Sequence, residues 1–417
     1  MRGTSAWLLY FQALRPRRMI LIKKFMLYFG WLLLISFKVQ ALMIYTLSNQ
    51  NNAGDHNQAL GIARALQEHA DNKVGFKDID TKITPSLKIK EGIERDLFHE
   101  KVIVIGAGEG GIDGIEALSP HSNLVIYLTS HMFLERYKDS KLLEKTQFIA
   151  LPTHTPSHIK KQLGSKLIET IGVAHNHQPE DPNKVYEKWG KEVLPSCKTY
   201  LGVMLGGDAP APGPGQDIKF FTEEDAVKLV GYIAQNAKDA CVLVLNGPRT
   251  GKYGLTQKEI LTVHRKGHSD HITKLFEQRL AQDGVKNIKI FDFQHNTPDN
   301  QEWVLPYNSF ELVVGALRAT HGHILIPGDS TSMISEAIDM LPPGKVIVYE
   351  TGAMNEVHKA HLMSELAMGR ISILERYHHL KAPVLKSTTS NTTNPPSPAA
   401  MTIAQKIWEE LMKENKP

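Results

Sequence analysis

From Leu42 onward, short apolar runs alternate with amphipathic helical stretches, in two series separated by a polar, proline-bearing break. That alternation constrains the fold more than any other feature of the chain. The runs at Leu42–Ser48, 102–105, 123–128 and 147–151, with a shorter strand around 73–79, belong to the first series. Strands alternating with helices argue for a parallel sheet covered by helices on both faces. Asp55 reads as the N-cap of the first helix, whose apolar positions Ala59, Leu60, Ile62, Ala63 and Leu66 recur at helical spacing. The second series has strands at 200–205, Cys241–Leu245, 288–293, 323–326 and Val346–Tyr349. Its helices follow Thr222 through Asn236, then fall near 269–283, 309–318 and 356–367.

The break at 172–195 reads as a connection between domains. The expected division is an N-terminal Rossmann-like domain over 42–175, a connection over 176–198 and a C-terminal Rossmann-like domain over 199–385. A Ser/Thr/Asn/Pro-rich linker over 386–400 leads to a last amphipathic helix within 401–417. Two such α/β halves, with a final helix able to return to the first, fit the GT-B architecture. Strand C-terminal ends from both domains then face one cleft, where open α/β sheets bind ligands.

Charge separates the N-terminus from the rest. Residues 1–41 hold seven of the 48 Lys and Arg and no acid, leaving 41 basic against 44 acidic residues, a net of −3. The folded part is not basic, so nucleic-acid binding has little electrostatic support. Residues 15–24 form a basic segment, 25–37 an apolar run, and Val39-Gln-Ala41 a small-residue cleavage site. Three readings stay open: a cleaved signal peptide, an uncleaved membrane anchor, or a cytoplasmic protein starting at Met43. The first two make the protein exported or membrane-anchored through 1–41. Of the two cysteines, Cys241 opens an apolar run and reads as a buried free thiol.

The stretch Ile324-Leu-Ile-Pro-Gly-Asp-Ser-Thr-Ser-Met-Ile-Ser-Glu-Ala-Ile338 reads as a buried strand, a turn, hydroxyl residues and a helix. Such a junction holds anions, because unpaired backbone N–H groups and the helix dipole point at the ligand. Asp329, Ser330 and Ser332 are suitable N-caps, so an ordinary capped βα unit is the plain alternative. Gly106-x-Gly108-x-x-Gly111 matches a dinucleotide fingerprint, but on the third strand and without the acid about 20 residues on. A tight turn fits it better. Gly247-Pro-Arg-Thr-Gly251-Lys252 is one residue short of a P-loop, and Tyr253 stands where a hydroxyl would bind magnesium. What survives is a strand-end loop with Asn246, Arg249, Thr250 and Lys252, suited to a diphosphate. The densest histidine cluster, His264 to His271, matches no zinc template, so no metal site is expected. His56, placed at the start of the first helix, is a candidate neutral general base with a pKa lowered by the helix dipole.

Five stretches in order carry a family resemblance. They are Gly54-Asp55-His56-Asn57-Gln58-Ala59-Leu60-Gly61-Ile62-Ala63, Ile105-Gly106-Ala107-Gly108, and Leu205-Gly206-Gly207-Asp208. Asn246-Gly-Pro-Arg249-Thr250 and Gly328-Asp329-Ser330-Thr331-Ser332-Met333-Ile334-Ser335-Glu336-Ala337 complete the set. Over 42–370 the chain resembles the mitochondrial-fission ("elongated mitochondria") family of GT-B-like proteins, whose members mostly lack an assigned reaction. Three positions depart from the family pattern: Asp55 separates Gly54 from His56, the Arg-loop lacks its second arginine, and Leu-Pro-Pro-Gly-Lys replaces Thr-Gly-Lys-Pro. In related glycosyltransferases and nucleotide-sugar epimerases the last motif holds a donor diphosphate and ribose. The resemblance therefore implies that Ser330, Thr331, Ser332 and Met333 face the phosphates of a nucleotide-sugar or similar phosphorylated ligand, with Gly328 and Asp329 also in the donor-binding segment. Glu336 would accept from the ribose, while Asn246 and Arg249 close the other side, with Gly206, Gly207 and Thr250 also donor-binding. Asp55 or His56 would activate an acceptor, with no cofactor and no obligatory metal. A non-catalytic binding or scaffold protein acting at a membrane is the competing expectation.

Overall fold

The computed structural model describes residues 42–50, 52–70, 74–98, 100–209, 218–237, 239–253, 269–293, 305–374 and 399–414. The N-terminal segment 1–41, the loop 210–217, His264 to His268 and the linker up to Pro398 lie outside them.

The first domain threads β1 (Leu42–Ser48), α1 (Ala53–His69), β2 (Gly75–Asp80), α2 (Ser86–Leu97), β3 (Lys101–Ala107) and α3 (Gly108–Glu116). It continues through β4 (Leu124–Thr129), the short α4 (Ser140–Lys145), β5 (Phe148–Pro152), α5 (Ser157–Leu163) and β6 (Leu167–Thr170). All six strands are parallel, in the order β2-β1-β3-β4-β5-β6. Every residue of β4 is buried, as a strand covered on both faces requires. One face packs Ile89, Ile93, Ile112 and Ile115 from α2 and α3. The other packs Ala59, Ile62 and Leu66 of α1.

Residues 172–195, read from composition as a connection, carry a regular element, α6 (Asp181–Val193). Its Pro182 sits in the first turn, where a missing N–H costs nothing. The second domain follows with β7 (Tyr200–Met204), α7 (Glu223–Asn236), β8 (Cys241–Leu245), α8 (His271–Gln282), β9 (Ile288–Phe291) and α9 (Ser309–Thr320). Then come β10 (His323–Pro327), α10 (Thr331–Met340), β11 (Val346–Tyr349), α11 (Glu356–Ala367) and β12 (Ser372–Leu374). This sheet is also six-stranded and parallel, in the order β12-β11-β10-β7-β8-β9. The last helix, α12 (Ala399–Glu414), returns to the first domain and buries Ile403, Ala404 and Ile407 against α1. The fold is thus two Rossmann-like α/β domains in the GT-B layout.

One expectation fails. Cys197 and Cys241 form a disulfide across a Cα separation of 6.1 Å, within the range a bridge spans without backbone movement. Cys241 is fully buried in β8 as expected, but the chain returns after α6 and presents Cys197 to it.

Candidate functional site

In each sheet the strand order reverses once, between β1 and β3 in the first and between β7 and β10 in the second. Loops diverge at such a reversal and leave a crevice outside the strand ends. The motifs fall there. Gly54 and Asp55 follow β1, Gly108 follows β3, Gly206 and Gly207 follow β7, and Gly328 to Ser332 follow β10. The two crevices face each other, because a Cβ built on Gly54 would lie 3.0 Å from Ser332 Oγ. Beside them the backbone N–H of Val173 donates to Ser335 Oγ across the domains at 3.0 Å.

On the second-domain side, Ser330 is the N-cap of α10, in extended conformation and without a side-chain bond to the first turn. Asp329 is not a cap. Its carboxylate accepts from the Gly207 N–H at 3.2 Å and from Thr351 Oγ1 at 3.0 Å, and lies 3.6 Å from Arg249. Burial pushes this carboxyl up against the pull of Arg249. Asp329 therefore pins three loops, and Gly206 and Gly207 leave room for Phe221 and Arg249. Arg249 donates to the carbonyls of Asp208 (3.4 Å) and Asp329 (3.3 Å), with about a third (34%) of its side chain exposed. Thr331 is buried, Ser332 is partly exposed at Gly54, and Met333 packs against the domain core. Gly328 lies against Met354.

Two residues placed at the diphosphate from sequence turn inward. The Asn246 amide donates to Asp292 (2.7 Å) and Thr273 (3.0 Å) and accepts from the Phe293 N–H (2.6 Å), which uses it up inside the domain. Thr250 is fully buried and accepts from the Gly247 N–H at 3.0 Å. Both shape the Arg249 loop from behind. Glu336 is buried against His177, at 3.7 Å, and bonds Asn57 of the first domain. Burial alone would raise its pKa, but His177 overrides burial and holds it below the usual carboxylate range.

On the first-domain side, α1 begins at Ala53 with Asn52 as its N-cap, so Asp55 and His56 sit inside the first turn. The pair separates there. The Asp55 carboxylate is buried, accepting from Asn52 Nδ2 (2.5 Å) and Gln58 Nε2 (3.4 Å). His56 turns to the β1–β2 edge, with Nδ1 3.1 Å from Ser48 Oγ and Nε2 3.8 Å from Asp78. Gly108, at φ 59°, carries the chain over Asp55 where a Cβ would fall on the carboxylate. The turn after β3 thus serves Asp55, not a dinucleotide.

The sequence reading passed over the histidines of the cleft. His131 and His154 stand two residues past β4 and β5, and His358 and His361 lie on α11. The rings of His154 and His361 meet with Nδ1 atoms 3.3 Å apart. The position of His131 and His154 just past strand C-terminal ends was the available signal. Among the described residues no group of three or more His, Cys, Asp or Glu is placed to hold a metal ion.

No protein-family model and no curated protein sequence matches the chain. Among solved structures, the UDP-GlcNAc 2-epimerase of Methanocaldococcus jannaschii is similar at 12% identity and a TM-score of 0.49, covering 89% of this chain and 99% of its own. MurG of Acinetobacter baumannii gives 11% and 0.39, with the same coverage of each chain. A trehalose-phosphate synthase (UDP-forming) of Burkholderia vietnamiensis gives 8% and 0.41, covering 90% of this chain and 96% of its own.

Proposed function

We propose that the chain is a GT-B-fold, glycosyltransferase-like protein that binds a nucleoside diphosphate sugar between its domains. One observation carries this reading: the switch points of both sheets face each other, with the α10 N-terminus and Arg249 beside them. Helix N–H groups and a guanidinium take the charge of a departing diphosphate, so the transfer requires no divalent ion. Glu336, held ionised by His177, suits the ribose hydroxyls. The motif order by which the chain resembles the mitochondrial-fission family supports the same placement. Calorimetric titration with UDP, GDP and ADP tests it. Binding of at least one, weakened about tenfold or more by Ser330→Ala or Glu336→Ala, is expected, since each hydrogen bond to a charged group contributes about 1.5–3 kcal/mol. No binding, or binding indifferent to both changes, sinks the reading.

The intrachain bonds of Glu336 and Asp55 favour a second reading, a non-catalytic member of that family acting at a membrane through residues 1–41. It predicts that Glu336→Ala and Asp55→Ala leave the cellular phenotype intact while deletion of 1–41 abolishes it. Sequencing the mature N-terminus separates the locations: Leu42 means export, Met43 means cytoplasm, and retention of 25–37 means an anchor.

A further inference from the structure

Resting on the reading of the cleft as a sugar-transfer site, we infer that His131, oriented by Asp55, is the general base that activates the acceptor hydroxyl. His131 follows β4, and its Nδ1 lies 3.6 Å from Asp55 Oδ1. That nitrogen is buried and has no hydrogen-bond partner at this separation. A quarter (24%) of the side chain is exposed, so the open edge of the ring carries Nε2. Asp55 is 5% exposed, and Asn52 and Gln58 fix its carboxylate from the other side. A buried carboxylate behind Nδ1 and an open Nε2 in front is the arrangement that makes a histidine a base. The separation is longer than a hydrogen bond, as is common before substrate tightens a site. Asp55 also adjoins Gly54, which touches Ser332, so the dyad lies beside the segment proposed to hold the phosphates. His56, the candidate from sequence, has its ring engaged by Ser48 and Asp78 on the sheet edge instead.

In the transfer, His131 Nε2 takes the proton of the acceptor hydroxyl while that oxygen bonds to the anomeric carbon. The bond from that carbon to the diphosphate oxygen breaks, and its electron pair leaves with the nucleoside diphosphate. Asp55 stabilises the imidazolium that forms, and the single displacement inverts the anomeric configuration.

The test uses the full chain, isotope-labelled at its histidines. By nuclear magnetic resonance, the neutral His131 ring is expected as the Nδ1–H tautomer, and Asp55→Asn removes that preference. Release of UDP from UDP-glucose, with water as acceptor, is expected to fall about a hundredfold or more in His131→Ala, through kcat and not through UDP affinity. An Nε2–H tautomer, a tautomer indifferent to Asp55→Asn, or undiminished UDP release in His131→Ala overturns the dyad. Failure of the unsubstituted chain to bind UDP, GDP and ADP alike sinks the donor reading instead, and the tautomer result is read independently of it.

Discussion

Histidines join the two domains at two seams, and the same side chain is charged at one and neutral at the other. Along the strap after β6, His177 lies 2.9 Å from Glu311 and 3.7 Å from Glu336, and His175 lies 3.1 Å from Asp339. Burial alone would push the His177 imidazole down, yet its two carboxylates raise it to about 9. At the other seam His154 packs edge-on against His361, ring centres 4.9 Å apart, with His358 and His131 nearby. There burial holds His154 down at about 4 and His358 at about 3, and pushes His361 well below its usual value. The acid at this seam, Glu365, is already gripped by Arg370 at 2.6 and 3.0 Å. Arg370, Arg249, Lys160 and Lys219 add positive charge around the rings. The rings of His177, His154, His358 and His361 are mostly or fully withdrawn from water; the partner decides their protonation state.

The largest expected effect follows from that contrast and is a two-sided pH dependence. His154, His358 and His361 are neutral in the fold but charge near pH 6.5 once unfolded. Their stability contribution is whole above about pH 6.5 and is lost as pH falls toward 4, up to about 3 kcal/mol each for His154 and His358, with His361 adding in the same direction. His177 has the opposite sign. Its contribution is whole below about pH 6.5 and is lost as pH rises through about 9. Urea midpoints are therefore expected to peak around pH 7 and to decline on both sides. A midpoint that holds level from neutral pH down to about 4 breaks the comparison at the neutral seam.

Substitution at each seam sharpens it. His177→Ala leaves Glu311 and Glu336 buried without their cation, a loss of about 3–5 kcal/mol. It should also erase the alkaline decline and keep the acid one. His361→Leu removes one titrating ring from a site that already excludes charge, so its cost at neutral pH is about 1–2 kcal/mol and the acid decline becomes shallower. The same urea series reads both. Matching pH profiles for the two variants would show that the seams do not differ in charge.

The sheets were legible because a parallel strand buried on both faces cannot disguise its composition, as in Cys-Val-Leu-Val-Leu of β8. The order of the strands was not, since it depends on which side each crossover returns. The stretch 324–338 was read correctly as strand, turn and helix because all its parts are local. Asp329 was misread as a cap because its partners, Gly207 and Thr351, lie far away in sequence. Asn246 was misplaced for the same reason, its amide being taken by Thr273, Asp292 and Phe293. Helix α6 was hidden by prolines that mark a helix start as readily as a loop. The Cys197–Cys241 bridge and both histidine seams are long-range pairings that no spacing encodes.

The smallest effect tests whether the seams hold the cleft in a ligand-competent closure. Gly54 sits in the first turn of α1 with Ser332 Oγ 3.0 Å from where a Cβ would stand. Gly54→Ala gains helix propensity of up to about 1 kcal/mol and loses a similar amount by pushing the Ser332 hydroxyl aside, so stability changes by less than about 1 kcal/mol. Nucleotide affinity has no such offset, because the displaced hydroxyl belongs to the proposed phosphate segment. A UDP affinity lowered severalfold at unchanged urea midpoint is the expected result. Unchanged affinity would mean that the Gly54–Ser332 contact opens before ligand enters, and that the seams lock a resting form instead.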